Sequence, residues 1–445
     1  MRDTVTIWII TLWLFFLAAV PLVLGMRRAV SIDIWEPIYP ASLYFILIFP
    51  IRSFYALVEG TAFLGEAPFS PELLEAWLFA AIFAALGFIA FLLGYFSRLG
   101  KALAGTIAPL PSVWDLFRLR LAILTLTVVG MGALGTLVSY TGGPSVYLMN
   151  KHLSLSAPGT TYLYSLFTCL SLASILAYIL CAIYRGGMLT LGLLLPVTLV
   201  AGISTGARGF VLYPILGLLI VRHYLIRRTN FWQVGLMIFL IIIIMPIFNV
   251  YRQTANFDQI VAESIQAYSR FSLLVEHLLN RFHGMDAFIY AVRDTPNTME
   301  FQLGATLLPV VVAWIPRFVW DEKPIVSFAK VFAETYWDQW FAGTGVAPSV
   351  TLFGEAYINF HLAGVLIAGW ISGVALRLIY HYLVNRSFGT SGVFIYAVMA
   401  PYLITFFESD IGGLMSRATF IYFLALATVF FVAKVSRKYA HTCAY

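Results

Sequence analysis

Apolar residues run along this chain in long blocks, and the blocks set its elements. Stretches of roughly 20 largely aliphatic and aromatic residues cross about 30 Å of hydrocarbon as helices. Such stretches recur near 5–25, 38–58, 73–96, 121–141, 161–184, 187–205, 209–226, 231–250, 357–380, 392–408 and 414–435. The pattern predicts an all-α polytopic membrane protein with about eleven transmembrane helices, within a range of ten to twelve. The block 38–58 is the least regular, because it contains Pro50 and Arg52. Between 251 and 356 spanning blocks are missing. The chain therefore divides into an N-terminal transmembrane bundle over 1–250, a long connection over 251–356, and C-terminal transmembrane helices over 357–445. Within the connection, Leu303 to Trp314 is apolar but short for a span, and reads as a re-entrant or surface-lying piece. The aromatic content of the connection argues against disorder.

Polar positions supply an orientation. Arg27 and Arg28 follow the first block, Arg98, Lys101, Arg118 and Arg120 the third, Arg185 the fifth, and Arg222, Arg227 and Arg228 the seventh. Arg377 and Arg386 close the ninth, and Lys434, Arg437 and Lys438 the last. Every second connection is basic, which assigns those connections and the C-terminus to the cytoplasm and the long connection to the opposite side. The odd helix count then puts the N-terminus outside. Connection 59–72, with Glu59, Glu66 and Glu72 and no Lys or Arg, fits the outer side.

Composition narrows the function. Hydrophobic residues make up 61% of the 445 and charged residues only 11%, against about 25% charged in a soluble domain. The net charge of +6 would hint at nucleic acid in a soluble protein, but here it sits in short membrane-flanking connections, so no nucleic-acid partner is expected. Cys169, Cys181 and Cys443 form neither a disulfide framework nor a metal spacing. No Walker motif is present, and no paired-acid metal motif stands in a basic connection. ATP hydrolysis and cytosolic nucleotide-sugar chemistry are thus disfavoured.

The remaining chemistry gathers on the outer side, and each feature has a plain structural alternative. Glu263, Arg270, His277 and Arg281 fall within about 40° of one another on a helix. They suit an anionic headgroup or diphosphate, or simply an interfacial helix with snorkelling arginines; Gly284 ends or kinks that helix, followed by Asp286, with His283 just before it. Trp314 to Pro324 sets Arg317, Trp320, Asp321, Glu322 and Lys323 between two prolines, a phosphate fork beside a stacking face or an aromatic belt with a local ion pair. The turn Ser204 to Gly209 carries a lone Arg208, functional or snorkelling. Glu355 and Asn359 share a helix face at the mouth of the ninth span, with Glu355 as a general base or simply as an acid favoured at a helix start. Glu408, Asp410 and Arg417 surround Gly412 and Gly413, where a simple ion pair explains them equally well. Arg252 closes the eighth span.

In its plan, and in Thr205 to Gly209, Ile315–Pro316–Arg317 with Lys323–Pro324, and Gly354 to Phe360, the chain resembles the Wzy-type O-antigen and exopolysaccharide repeat-unit polymerases of bacteria. The resemblance implies a lipid-linked glycosyltransferase (GT-C-like) fold in the bacterial cytoplasmic (inner) membrane. It implies transfer of a growing glycan from polyprenyl diphosphate to a sugar hydroxyl of the next lipid-linked oligosaccharide unit, without metal or nucleotide cofactor. Chain-length regulator and flippase partners follow from the same resemblance. On it, the expected catalytic residues are Glu355, Asp286, His283 and Arg317. Substrate contacts are expected from Arg208, Arg252, Arg270, His277, Arg281, Lys323, Trp320, Trp340, Asn359 and Arg417. An O-antigen ligase and a flippase or secondary transporter of lipid-linked glycan are the alternatives.

Overall fold

The computed structural model describes residues 2–27, 33–59, 70–149, 160–253, 282–308, 328–336 and 350–434, with isolated positions 261–263, 265, 279, 312, 315, 320 and 322. At a few helical positions, Arg252 and Arg417 among them, only the backbone is described. The chain is helical, and among the described residues the only strand-like pairing is one isolated bridge between Trp114 and Ala433. Seven described helices are long and apolar enough to cross a membrane: α1 (Val5–Gly25), α2 (Ile38–Val58), α3 (Pro71–Phe96), α5 (Leu116–Tyr140), α6 (Tyr162–Ala182), α12 (Thr351–Arg386) and α14 (Ile411–Val432). Between α3 and α5 lies the short α4 (Leu99–Thr106). Shorter apolar helices are α7 (Met188–Ser204), α8 (Gly209–Leu225) and α13 (Thr390–Ile404), and α9 covers Phe231–Gln253. Each expected block coincides with one of these helices, and the protein is a helical, multi-pass membrane protein. Two further helices come from the long connection, α10 (Gly284–Asp294) and α11 (Phe328–Tyr336).

Local chemistry explains the starts. Pro71 opens α3, and Ser70 Oγ accepts from the Leu73 amide at 3.1 Å. Asp115 caps α5 through the Arg118 amide at 3.0 Å, and Asp410 caps α14 through the Gly413 amide at 3.0 Å. Each cap satisfies an amide that the helix leaves unpaired. In α2 the ladder opens into a π-helical turn at Leu47–Ile51 around Pro50, because proline offers no amide to the turn before it.

Two apolar cores result. One joins α1, α2, α3, α10 and the start of α12, with Phe45, Phe88, Phe288, Phe353 and Phe407 at its centre. The second joins α5 to α8, α13, α14 and the far end of α12. Leu403 and Leu414 pack against both, so the turn between α13 and α14 lies on the seam. Along α3 and α12, backbones touch: a Cβ on Gly373 would stand 2.1 Å from the Phe91 carbonyl oxygen, and one on Gly369 2.3 Å from that of Gly87. Small residues four apart permit this approach, the usual device where lipid gives helices no hydrophobic drive to associate.

Helix α12 is broken. Phe360 and His361 leave helical geometry (φ −140° and +53°), and the chain folds back on itself there. A Cβ on Gly364 would meet the Ala356 carbonyl oxygen at 2.1 Å, and Phe353 and Val365 both touch Gly87. A straight helix would separate Phe353 from Val365 by about 18 Å along its axis. Residues 351–359 therefore form an arm inserted beside the span that follows. The re-entrant or surface-lying piece expected at Leu303 to Trp314 is only partly described. Residues 305–307 form only a 3-10 turn, and most of 309–314 lies outside the described residues.

Candidate functional site

The arm brings buried polar groups to one end of the bundle. Glu355 is fully buried, and both its oxygens are engaged. The Thr306 hydroxyl donates to Oε1 at 2.8 Å, and the Ile411 amide, at the start of α14, donates to Oε2 at 2.5 Å. Asn359, one turn on, donates through Nδ2 to the Thr306 hydroxyl at 2.7 Å and to the Glu355 carbonyl at 2.8 Å. Its Oδ1 accepts from the Gly304 amide at 2.7 Å. Gly304 (φ +95°) is in the left-handed region that glycine enters without steric cost. The expected i, i+4 pairing of Glu355 and Asn359 is present, and it acts as a bracket. It fastens turn 302–307 and the start of α14 to the arm. Glu355 is sealed and doubly bonded, and in this geometry it braces the arm.

A second bracket lies next to the first. Arg52 leaves the π-helical turn of α2 and donates through Nε to Asp286 Oδ2 at 2.8 Å, with both side chains almost wholly buried. Asp286 stands in the first turn of α10, where the helix dipole favours an acid. Gly284 was expected to end or kink a surface helix. It stands where α10 begins, packed inside the first core through Met285, Phe288 and Ile289; most of the segment before it lies outside the described residues. The approach there is close: a Cβ on Gly284 would stand 2.5 Å from Thr351 and 2.8 Å from Ile48. His283, just before it, is buried. On the seam, the Tyr44 hydroxyl donates to Glu408, tying α2 to the turn before α14.

Four of the other expected site residues are described, two of them by backbone alone. Arg208 sits at the tight turn between α7 and α8 and is half-buried. Trp320 is exposed. Arg252 and Arg417 belong to α9 and α14, with only their backbones described. Arg270, His277, Arg281, Arg317, Lys323 and Trp340 lie outside the described residues. Among the described residues no group of three or more His, Cys, Asp or Glu is arranged to hold a metal ion.

Sequence reasoning missed a polar centre at the opposite end. From His361 to Arg377, α12 runs about 24 Å, and there two acids of connection 33–37 meet three helices, α3, α8 and α12. Asp33 Oδ2 accepts from Tyr224 at 2.8 Å and Tyr380 at 2.7 Å. Its Oδ1 takes the Trp35 amide at 3.1 Å and lies 3.2 Å from His223 Nε2. The Thr229 amide donates to His223 Nδ1 at 2.9 Å, so that nitrogen carries no proton and Nε2 donates to Asp33. Burial works to raise the Asp33 carboxyl, but the bonds from His223, Tyr380 and Tyr224 outweigh it and hold it below the ordinary value. Glu36 Oε1 accepts from Arg377 at 2.6 Å and Tyr95 at 2.8 Å. The visible signal was two acids in a connection otherwise marked by arginines.

A family model described as a domain of unknown function (DUF8712) matches residues 144–400, more than half of the chain. The matched stretch contains Asp286, Thr306, Glu355 and Asn359, and excludes Arg52, Glu408 and Asp410. No curated protein and no solved structure matches the chain.

Proposed function

The chain belongs to the DUF8712 family, and we propose that it is a membrane glycosyltransferase that polymerises polyprenyl-diphosphate-linked oligosaccharide repeat units. One observation carries the reading. The long connection is built into the bundle through two buried brackets, Arg52–Asp286 and Thr306–Glu355–Asn359, at one end of the seam between the cores. A connection anchored in this way is part of the working structure. Between the brackets the sequence runs through Arg317, Trp320 and Lys323. In the proposed topology the protein has eleven spans of the lipid-linked glycosyltransferase type in the bacterial cytoplasmic membrane. The bracketed end faces outward and the C-terminus faces the cytoplasm.

In the proposed reaction, a sugar hydroxyl of the incoming unit attacks the anomeric carbon of the growing glycan. The new C–O bond forms as the bond to the diphosphate breaks, and the leaving polyprenyl diphosphate takes the electron pair. Arg317 and Lys323, with Arg208, Arg252 and Arg281, neutralise the charge developing on it. The hydroxyl proton passes to a base, for which His283, Asp286 and Glu355 are the candidates. Arg317→Ala is expected to abolish polymer while protein remains in the membrane; undiminished polymer from that variant refutes the assignment.

A second reading is favoured by the broken α12 and the buried Arg52–Asp286 pair. Discontinuous helices and intramembrane charges are the marks of carriers, and on this reading the chain moves lipid-linked glycan across the membrane. Sealed vesicles distinguish the two, because a carrier changes the sidedness of a labelled lipid-linked unit without extending it.

A further inference from the structure

A groove of about 420 Å³ runs between α1 and α3, lined by Leu17, Val20, Leu24, Leu92, Leu93 and Phe96 among others. It follows α1 for seven residues, about 10 Å, which is two-thirds of the roughly 15 Å depth of one leaflet's hydrocarbon. The groove ends at Ser97, and Arg98 is the next residue. From there α4 turns across the end of α12, packed so closely that a Cβ on Gly100 would stand 2.8 Å from the Val374 carbonyl oxygen and 2.9 Å from Arg377 Cβ. A Cβ on Gly105 would be 3.7 Å from an Arg386 guanidinium nitrogen. The charges of Arg377, Lys101 and Arg386 all bear on the His381 ring. Arg377 is paired with Glu36. Arg98, Lys101 and Arg386 are exposed, and among the described residues no acid pairs with them. From Ala76 to Trp114 the sequence contains no Asp or Glu. Leu99, Leu103 and Ile107 point outward from the same segment, which therefore offers apolar surface beside unpaired positive charge.

We propose that this end of the bundle binds an anionic glycerophospholipid, with an acyl chain in the α1–α3 groove and its phosphate among Arg98, Lys101 and Arg386. Charge complementarity selects an anionic headgroup, since basic pockets between spans attract such lipids. The groove length selects an ordinary acyl chain, which fits one leaflet. A long polyprenyl chain would overrun it. The site is separate from the bracketed end and independent of the glycosyltransferase reading.

The test is native mass spectrometry of the purified, delipidated full chain titrated with phosphatidylglycerol and phosphatidylcholine of identical acyl chains. Each basic residue near an anionic headgroup contributes about fivefold. The wild-type protein is expected to prefer phosphatidylglycerol at least tenfold. The triple variant R98E/K101E/R386E is expected to lose the preference, and Val20→Trp, which fills the groove, to lower phosphatidylglycerol occupancy with the charges intact. Equal binding of the two lipids by the wild-type protein overturns the proposal, and that comparison needs no variant to fold. A preference surviving the charge reversals also overturns it. So does displacement of phosphatidylglycerol by equimolar undecaprenyl phosphate, which would assign the groove to a different lipid.

Discussion

Replacing Asp286 by alanine strands the Arg52 guanidinium in an apolar core. The cost follows from the geometry. At 2.8 Å and an effective dielectric constant of about 20, the attraction within the pair is on the order of 6 kcal/mol. Desolvation opposes it by several kcal/mol for each ion, so the pair as a whole sits near balance. Removing one partner keeps the desolvation of the other and loses the attraction, a cost of about 3–5 kcal/mol. At roughly 2 °C per kcal/mol, Asp286→Ala is expected to lower the unfolding temperature in detergent by on the order of 5–10 °C. Arg52→Met combined with Asp286→Leu removes both charges at similar volume and is expected to recover most of that loss. Thermal unfolding followed by size-exclusion chromatography reads both variants. An Asp286→Ala protein as stable as wild type refutes the buried pair, and a double variant as damaged as the sum of its singles refutes the balance.

Other consequences are as direct. Asn359→Leu leaves the Gly304 amide without its acceptor, at about 1–3 kcal/mol for a group left unsatisfied, and removes one of the two bonds of the Thr306 hydroxyl; cysteine accessibility at turn 302–307 is expected to rise while membrane insertion is retained. Gly373→Leu places a Cβ 2.1 Å from the Phe91 carbonyl, so α3 and α12 have to separate, and yield and thermal stability are expected to fall together. Asp33 has a lowered folded-state pKa, so its stabilising contribution is complete above the ordinary value of 3.8 and is lost as pH falls through the folded value. Unfolding temperatures of wild type and Asp33→Asn should differ by a constant amount near neutrality and converge below about pH 4.

The helices were legible because a membrane leaves few backbone options: buried amides must be satisfied within the segment, so apolar blocks of span length become helices. The Glu355–Asn359 pairing was legible for the same reason, since i and i+4 share a face whatever surrounds them. What they touch was not, because Thr306 and Ile411 lie about 50 residues away on either side and meet them only through the fold-back at Phe360–His361. Arg52 stood out as a charge within a span, yet its partner is 234 residues distant, in the first turn of α10. Gly284 carries no local signal for this, since its role comes from Ile48 and Thr351 pressing against it. The Asp33 centre escaped because tyrosine hydroxyls from α8 and α12 converge there, and tyrosine in a span otherwise reads as apolar.

The decisive measurement is reconstitution of the purified protein in liposomes with a single lipid-linked repeat unit from the host's own glycan pathway, resolved by gel and mass spectrometry. A ladder of multiples of the unit, formed without added nucleotide or metal, is the expected result. Units that remain single while the protein is folded and inserted would contradict the polymerase reading, and label appearing on the opposite leaflet of those vesicles would establish the carrier in its place.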